Sequence, residues 1–384
     1  MRILHVVEAF GGGVFDFLLA LTKGTPGYEH VIMHGLRSET VEGFRELFPD
    51  NVRFHLWKHA TREIRPWKDI SAFIELISIL KKDNDSSVIH LHSSKAGFLG
   101  RLAARLLGIE KRVIYTTHSI AFLRKDIGAI KRRLFISLER AGAGFGGKVI
   151  ACSRSELDIM ESHGIKGEFI YNGVQDCYVS TARSKKYWSS DIKSASLEPL
   201  SLNSKHKEID SGDIVIGTVG RITEQKNPDL FNSIAEAFIG EDILRFIWVG
   251  DGRLRQRLVS PNIEVTGWVD TERVDDYILD MDIYISTSMW EGLPLSAVRA
   301  MCLKKPLVLS DCSGNIDLVR EGQNGYLFSN IEEGVRCLER LAGDQEMREK
   351  MGEASRTLYK EFFTVEQMVE RYVRVYKEVA AGHQ

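Results

Sequence analysis

Residues 288–301 read SMWEGLPLSAVRAM. A glutamate, a glycine and a proline stand ahead of an apolar, helix-like run. Gly292 lets a backbone come close, and the free N–H groups of a helix starting near Leu293 and Pro294 suit a phosphate. Glu291 would accept hydrogen bonds from sugar hydroxyls, although a Glu at a helix start is also an ordinary capping residue. Eight positions later the charge is a cation, Arg299. Upstream, VGRITEQKNP (219–228) sets Gly220 at a turn and places Arg221 and Lys226 around it, with Asn227-Pro228 to open the next helix. Two cations flanking a helix start suit a diphosphate. VGDG (249–252) and TGWV (266–269) are further turns, where the backbone near Gly250 and Val269 could hold a flat base.

The first half offers different chemistry. AFGGGVFDF (9–17) brings Gly12 and Gly13 to a helix start, where backbone could approach an anion or simply turn tightly. HLHSSKAG (90–97) contributes His90, His92 and Lys95, and TTHSIAF (116–122) contributes His118. A histidine at a strand end can donate to a hydroxyl or a phosphate. Structural packing is the ordinary role of any single one, but two successive strands ending in His at one sheet edge favour function. The set lacks the carboxylate or cysteine support of a metal site, so none is expected. FLRKDIGAIKRRLF (122–135) alternates apolar and basic residues at helical spacing. It suits an anionic membrane surface or a lipid-phosphate acceptor, or else it is a solvated basic face.

These residues need elements to position them. ILHVV (3–7), HVIMH (30–34), VIHLH (88–92), RVIYTT (112–117), KVIAC (148–152) and EFIY (168–171) read as short buried strands, with helical stretches such as 69–82 and 95–108 between them. The pattern restarts with DIVIGTVG (213–220), LRFIWVG (244–250), IEVTG (263–267), DIYIST (282–287) and PLVLS (306–310). Such alternation predicts parallel sheets with helices on both faces, whose ligands lie beyond the carboxyl ends of the strands. Nine serines and many lysines over 177–212 mark a linker or loop. The stretch from about 344 to 381 is helical and has no strand to serve.

The bulk numbers agree with two domains: 384 residues, 43% hydrophobic and 27% charged. A net charge of −2 argues against a globally basic nucleic-acid binder. Five cysteines without a C-x-x-C pair read as reduced thiols of a cytosolic protein. His5 and Glu8 interrupt the apolar N-terminus, which therefore lacks a signal-peptide layout, and no apolar run has the ~18 residues of a membrane helix.

Taken together, the chain resembles the family-four glycosyltransferases of the GT-B fold, of the type that builds bacterial capsule, O-antigen or exopolysaccharide. GGGVF, HLHSSKAGFLGRLAARL, YTTHSIAF, YNGV (171–174), VGRITEQKNP, VGDG, SMWEGLP and EGQNGYLF (321–328) follow in that family's order. The resemblance implies an α/β protein of two Rossmann-like domains facing each other across a cleft. The expected division is 1–175 on the acceptor side, a linker over 176–212, a nucleotide-sugar domain over 213–356, and a helix over 357–384 crossing back. It implies that Arg221 and Lys226 hold the donor diphosphate, with Gly13 near it. Glu291, helped by Gly292 and Leu293, would meet the donor sugar from one side and His118 from the other. The base would lie near Gly250 and Val269, and His92, Lys95 and Asn172 would face the acceptor. It further implies a retaining reaction with no metal or other cofactor, and a donor that is UDP-linked. The acceptor would be a polysaccharide or a lipid-linked oligosaccharide, reached from the cytoplasm with peripheral membrane contact through 122–135.

One position departs from the pattern. The family usually carries a second Glu where this chain has Arg299, and arginine has donors and no acceptor. An altered donor site is one reading. A non-catalytic, glycosyltransferase-like partner subunit is the alternative.

Overall fold

Short runs of β-branched and aliphatic residues pair in parallel throughout: the central strands are buried on both faces, and most connections carry the chain back through a helix. The computed structural model describes residues 1–8, 10–36, 40, 43–61, 65–83, 85–177 and 212–382. The linker expected over 176–212 lies outside them except for Asp176, Cys177 and Gly212.

The first sheet holds β1 (Arg2–Val7), β2 (Glu29–His34), β3 (Val52–Leu56), β4 (Val88–His92), β5 (Val113–Thr116), β6 (Lys148–Ala151) and β7 (Glu168–Phe169), in the order β3-β2-β1-β4-β5-β6-β7. The second holds β8 (Ile214–Val219), β9 (Leu244–Val249), β10 (Ile263–Val265), β11 (Ile283–Ser286), β12 (Leu307–Ser310) and β13 (Gly325–Phe328), in the order β10-β9-β8-β11-β12-β13. Both reverse direction beside their first strand, at β1/β4 and at β8/β11. An open α/β sheet leaves its ligand crevice at such a point. The fold is thus α/β with two Rossmann-like units. Strands β3 and β13 were not among the expected ones. β3 is a sheet edge that exposes Arg53, His55 and Leu56, so its sequence VRFHL lacks a continuous apolar run.

Helices α2 (Pro66–Lys82), α3 (Ser93–Leu107), α4 (Ala129–Gly144) and α5 (Arg154–Ser162) cover one face of the first sheet, and Leu76, Ala103 and Leu157 join Leu4, Leu91 and Tyr115 in its core. The other face takes α1 (Gly13–Gly24) and a helix far along the chain, α12 (Val365–Ala381). Val369, Tyr372 and Tyr376 of α12 pack with Phe17, Leu18, Ile3 and Ile114. The second unit carries α6 (Pro228–Glu236), α7 (Thr271–Asp280), α8 (Leu295–Cys302), α9 (Asn315–Leu318), α10 (Ile331–Ala342) and α11 (Gln345–Phe362), with α11 against α8.

The helical C-terminal stretch is therefore two helices, parted at Phe363–Thr364. Thr364 and Gln367 cap α12 reciprocally. Here the chain returns beside its outward crossing. The Val174 N–H donates to the Phe363 carbonyl (3.0 Å), the Tyr359 hydroxyl donates to the Val174 carbonyl (2.9 Å), and Val174 bridges Thr364. A side chain at Gly173 would stand 2.3 Å from the Thr364 carbonyl oxygen, so only glycine allows the crossings this close.

Candidate functional site

The second unit brings its charges together at the β8/β11 switch point. β8 ends at Val219, and the next turn carries Gly220 (φ 151°) under the stem of Lys226, where a Cβ would sit 3.0 Å from the lysine Cε. A single helical turn over 224–226 then lifts Lys226 toward the loop that follows β11. There its ammonium lies 2.9 Å from the Glu291 carboxylate, with side chains 18% and 8% exposed. Gln225 donates to the other Glu291 oxygen (3.1 Å), and Ser313 donates to the Glu291 carbonyl (2.8 Å). Burial disfavours the Lys226 charge, but the Glu291 carboxylate outweighs it and the lysine pKa ends above its ordinary value. Lys226 is therefore a fixed cation at neutral pH. Gly292, Leu293 and Pro294 follow, all buried, and α8 opens at Leu295 with Pro294 as its cap residue. Arg221 is exposed at the rim of the same turn. Gly250 packs on the Gly220 carbonyl and bridges Gly267, and Val269 packs on the core beside them.

The first unit builds its edge from imidazoles. His30, His5, His92 and His118 form one hydrogen-bonded file, each ring nitrogen 3.0 Å from the next. Beyond His30 stands the Thr25 hydroxyl, 2.9 Å away, which donates its only proton to the Leu21 carbonyl (2.7 Å). Thr25 must therefore accept from His30 Nε2–H. The direction then propagates, so each of the four rings carries its proton on Nε2 and accepts on Nδ1. The file ends with His118 Nδ1 against the Cys152 thiol, 3.8 Å away. Burial pushes all these imidazoles toward the neutral form: His30 lies near about 4 and His118 near about 3, with His5, His90 and His92 also well lowered.

Both His118 nitrogens are used inside the domain, so its ring is committed inward. What its loop turns outward is main chain. His118 (φ 48°) and Ser119 (φ 76°) are consecutive left-handed residues, each costing about 1–3 kcal/mol. Glu156 of α5 holds that strain. Its carboxylate accepts from the Ile120 N–H (2.7 Å), the Thr117 hydroxyl (2.8 Å) and the Cys152 N–H (2.7 Å). The 118–119 corner meets Gly292 of the other unit, where a Cβ would fall 2.8 Å from the Ser119 nitrogen. Gly13 at the start of α1 faces Leu295 at the start of α8, while Gly12 (φ 55°) opens on free space. The two helix N-termini and the Lys226–Glu291 pair thus converge on one junction between the units. The junction is tied by Asp317, which accepts from the Arg154 N–H (2.8 Å) and the Tyr171 hydroxyl (3.2 Å), and by Ser155, whose oxygen accepts from the Gly314 N–H (2.8 Å).

The three residues expected on the acceptor side are engaged within the chain. His92 is fully buried and serves His118 through the file. Lys95 is turned onto α2, where its ammonium binds Asp69 (2.7 Å) and Thr61 (3.2 Å). Asn172 is buried beside Cys152 at the crossing. Arg299 of α8 pairs with Asp275 of α7, 2.8 Å away, and its charge also reaches Asp16 on the first turn of α1. Among the described residues one trio could hold a metal ion: His5, His90 and His92, with ligand atoms within 4.8 Å of one another. Their nitrogens are already bonded to one another and to His30, His118, Thr116 and Tyr376, so a metal would have to displace those bonds. In the basic stretch, Arg124 pairs with Asp126, while Ile130 (86% exposed) and Leu134 (49%) face outward beside exposed Lys131 and Arg133.

Sequence reasoning passed over His5, His30, Glu156, Gln225 and Asp317. His5 and His30 sit inside runs that read as strands, and only the β1–β2 register brings them together. Ser153 capping Glu156 in S-R-S-E is a local signal, but it announces a helix start and not a buried clamp.

Comparison with known proteins matches both halves. The family model "Glycosyltransferase Family 4" covers residues 14–176, and "Glycosyl transferases group 1" covers 201–358. A 41.2 kDa protein in the cps region of Klebsiella pneumoniae is 28% identical over 98% of this chain and 99% of its own. The Escherichia coli UDP-Gal:alpha-D-GlcNAc-diphosphoundecaprenol alpha-1,3-galactosyltransferase is 29% identical over 77% of this chain and 76% of its own. Among solved structures, sucrose-phosphate synthase from Thermosynechococcus elongatus superposes over all of both chains with TM-score 0.78 at 14% identity. Anabaena HepE in complex with UDP and glucose does so over 98% of this chain and 99% of its own, with TM-score 0.77 at 16% identity. Two parallel-sheet units of this strand order, with the family's motifs gathered at their junction, leave one conclusion: the chain belongs to the family-four glycosyltransferases of the GT-B fold.

Proposed function

We propose that the chain moves a sugar from a UDP-linked donor onto a lipid-linked or polysaccharide acceptor in surface-polysaccharide synthesis, with retention of anomeric configuration. The observation that carries this reading is the Lys226–Glu291 pair at the β8/β11 switch point, 2.9 Å apart and largely buried. When the bond from the sugar's anomeric carbon to the diphosphate breaks, negative charge grows on the departing nucleotide. A fixed ammonium there, with Arg221 at the rim and the free N–H groups of α8, stabilises that charge most where it is greatest. Glu291 accepts from the sugar hydroxyls, and the main chain at 118–119 closes the opposite side. Leaving-group stabilisation runs through Arg221 and Lys226, with no metal in the step. The uridine donor is supported by the E. coli relative, whose name specifies UDP-Gal, and by HepE, solved with UDP-glucose. The retaining outcome rests on the family resemblance alone.

Arg299 does not vacate the site. It is paired with Asp275 of α7, which brings a carboxylate beside it. The partner-subunit reading is therefore not favoured. Peripheral contact with an anionic membrane belongs to the proposal too. Ile130 and Leu134 stand out beside Lys131 and Arg133, and α2 likewise exposes Trp67, Ile70 and Ile74 along one stripe. Flotation with anionic vesicles tests this: the triple change Lys131→Glu, Arg132→Glu, Arg133→Glu should abolish co-flotation, and unchanged flotation removes the contact.

The function itself is tested by UDP release from UDP-sugars in the presence of a polyprenyl-diphosphate-linked sugar, with the product anomer read by NMR. Acceptor-dependent release and an anomer matching the donor are expected. An inverted product discards retention, and no release with any UDP-sugar discards the donor class.

A further inference from the structure

Away from the junction, Cys177 and Cys302 meet where the outward crossing lies on the second unit. Their sulfurs are 3.0 Å apart, across 125 residues of sequence. All five cysteines of the chain are free thiols, and this pair stands at disulfide-forming range. A disulfide needs roughly 2.05 Å between sulfurs, so about 1 Å of side-chain adjustment closes the bond.

Three donors converge on the Cys302 sulfur: the Cys177 thiol, the Cys177 N–H (3.2 Å) and the Arg356 guanidinium (3.2 Å). Hydrogen bonds and a nearby cation stabilise a thiolate. The Asp176 carboxylate, 3.6 Å from Cys302, opposes it but is itself bound by Arg356 at 2.6 Å. The bond from Cys177, joined by its N–H and by Arg356 against the cost of burial, draws the Cys302 thiol down to about 7, while that same bond and burial push Cys177 up. One sulfur is thus set up as nucleophile and its neighbour as a protonated resolving thiol. Cys302 is buried, whereas Cys177 is partly exposed, so a small oxidant has an approach from the Cys177 side.

We propose that Cys177 and Cys302 are a peroxide-oxidisable pair that forms an intramolecular disulfide. The Cys302 thiolate attacks one oxygen of hydrogen peroxide, the O–O bond breaks, and with one proton taken up a sulfenic acid and one water result. The Cys177 sulfur then attacks the sulfenic sulfur, its proton leaves with the hydroxyl as a second water, and the S–S bond forms. Two thiols and one peroxide become one disulfide and two waters. Cys302 ends α8, the helix whose start lies at the Lys226–Glu291 pair, and Cys177 ends the described crossing. The bond fastens the crossing to that helix. Neither cysteine touches the proposed donor site, so the inference stands whether or not the UDP assignment does.

The test exposes the full chain to graded hydrogen peroxide, blocks remaining thiols with N-ethylmaleimide, and maps the digest by mass spectrometry. The expected result is loss of two of the five thiols, a Cys177–Cys302 linked peptide, and full recovery with dithiothreitol. Cys177→Ser, a change at a partly exposed site, should abolish the linked peptide and leave Cys302 trapped as a dimedone-reactive sulfenic acid. The proposal is overturned if both residues are alkylated after peroxide treatment. It is equally overturned if the linkage formed involves other cysteines, or if Cys302 passes directly to sulfinic acid in the wild type.

Discussion

At the carboxyl end of β4, burial holds imidazoles neutral and their own hydrogen bonds set the direction of every proton. At the carboxyl end of β11, an ammonium and a carboxylate hold each other charged. The two sheets share a strand order, yet their crevices carry opposite electrostatics. The difference follows from what lies behind each. The first sheet is closed over by α1 and α12, and the hydroxyls of Thr25 at the end of α1 and of Tyr372 and Tyr376 on α12 meet the buried rings or their Thr116 neighbour. In the second, the pair lies at the crevice between the units, where under the proposed reaction the departing anion would exchange with Glu291 for the same ammonium. One edge is built to stay fixed and the other to trade partners.

Removing the charge should break the comparison most severely. Lys226→Ala is expected to lower turnover about 10²–10³-fold, the scale of losing one preorganised stabiliser of developing charge. Initial-rate measurement checks it, and turnover within threefold of wild type would sink the electrostatic role. Acid should break the other edge. Each imidazole has a folded pKa below its ordinary value, so the folded state binds fewer protons than the unfolded chain between the two. Stability is therefore full above about pH 6.5 and falls as pH drops toward 4. His30, held near about 4, contributes on the order of 3 kcal/mol of that loss by itself. Lys226, raised, loses its contribution only in alkali, so it is silent in this window. Thermal melts from pH 7 to 4.5 should fall steeply, and His30→Asn should flatten the slope; a flat wild-type profile would count against neutral burial.

Two smaller changes sharpen the contrast at the junction. Gly292→Ala places a methyl 2.8 Å from the Ser119 nitrogen, and overpacking of this kind costs about 1–3 kcal/mol. Turnover should drop while UDP still shifts the melting temperature, since only the approach of the two edges is obstructed. Equal loss of both would place the damage inside the second unit. Arg299→Ala should matter least: its pair with Asp275 is about a quarter exposed, worth at most about 1 kcal/mol. A larger loss in UDP-induced stabilisation would show that Arg299 meets the nucleotide directly.

Much of this was legible in residues alone. VIHLH and DIYIST announced buried parallel strands because continuous burial needs continuous apolar sequence, and VGRITEQKNP and SMWEGLP marked their turns because glycine, proline and charge gather at strand ends. Two of the residues expected on the acceptor side are engaged within the first unit, for a physical reason. His92 ends β4 and Lys95 follows it, but alternation along β4 sends His92 into the face under α12, and Asp69 on α2 claims Lys95. Partnerships across 25 to 286 residues, such as His5–His30 and His90–Tyr376, leave no local trace.

The side-by-side crossings at Gly173–Val174 and Phe363–Thr364 also set a schedule for synthesis. The face of the first sheet that buries Ile3, Phe17 and Ile114 is completed only by α12, which leaves the ribosome after the whole second unit. At ~5–20 residues per second, the roughly 190 residues between Cys177 and Val365 take about 10–40 s to make. Through that interval the nascent first unit carries an uncovered apolar face around its histidines. It is predicted to engage a holding chaperone until the distant helix arrives. Proteolysis of stalled nascent chains checks this: protection of the first unit in chains stopped before residue 360 would refute it.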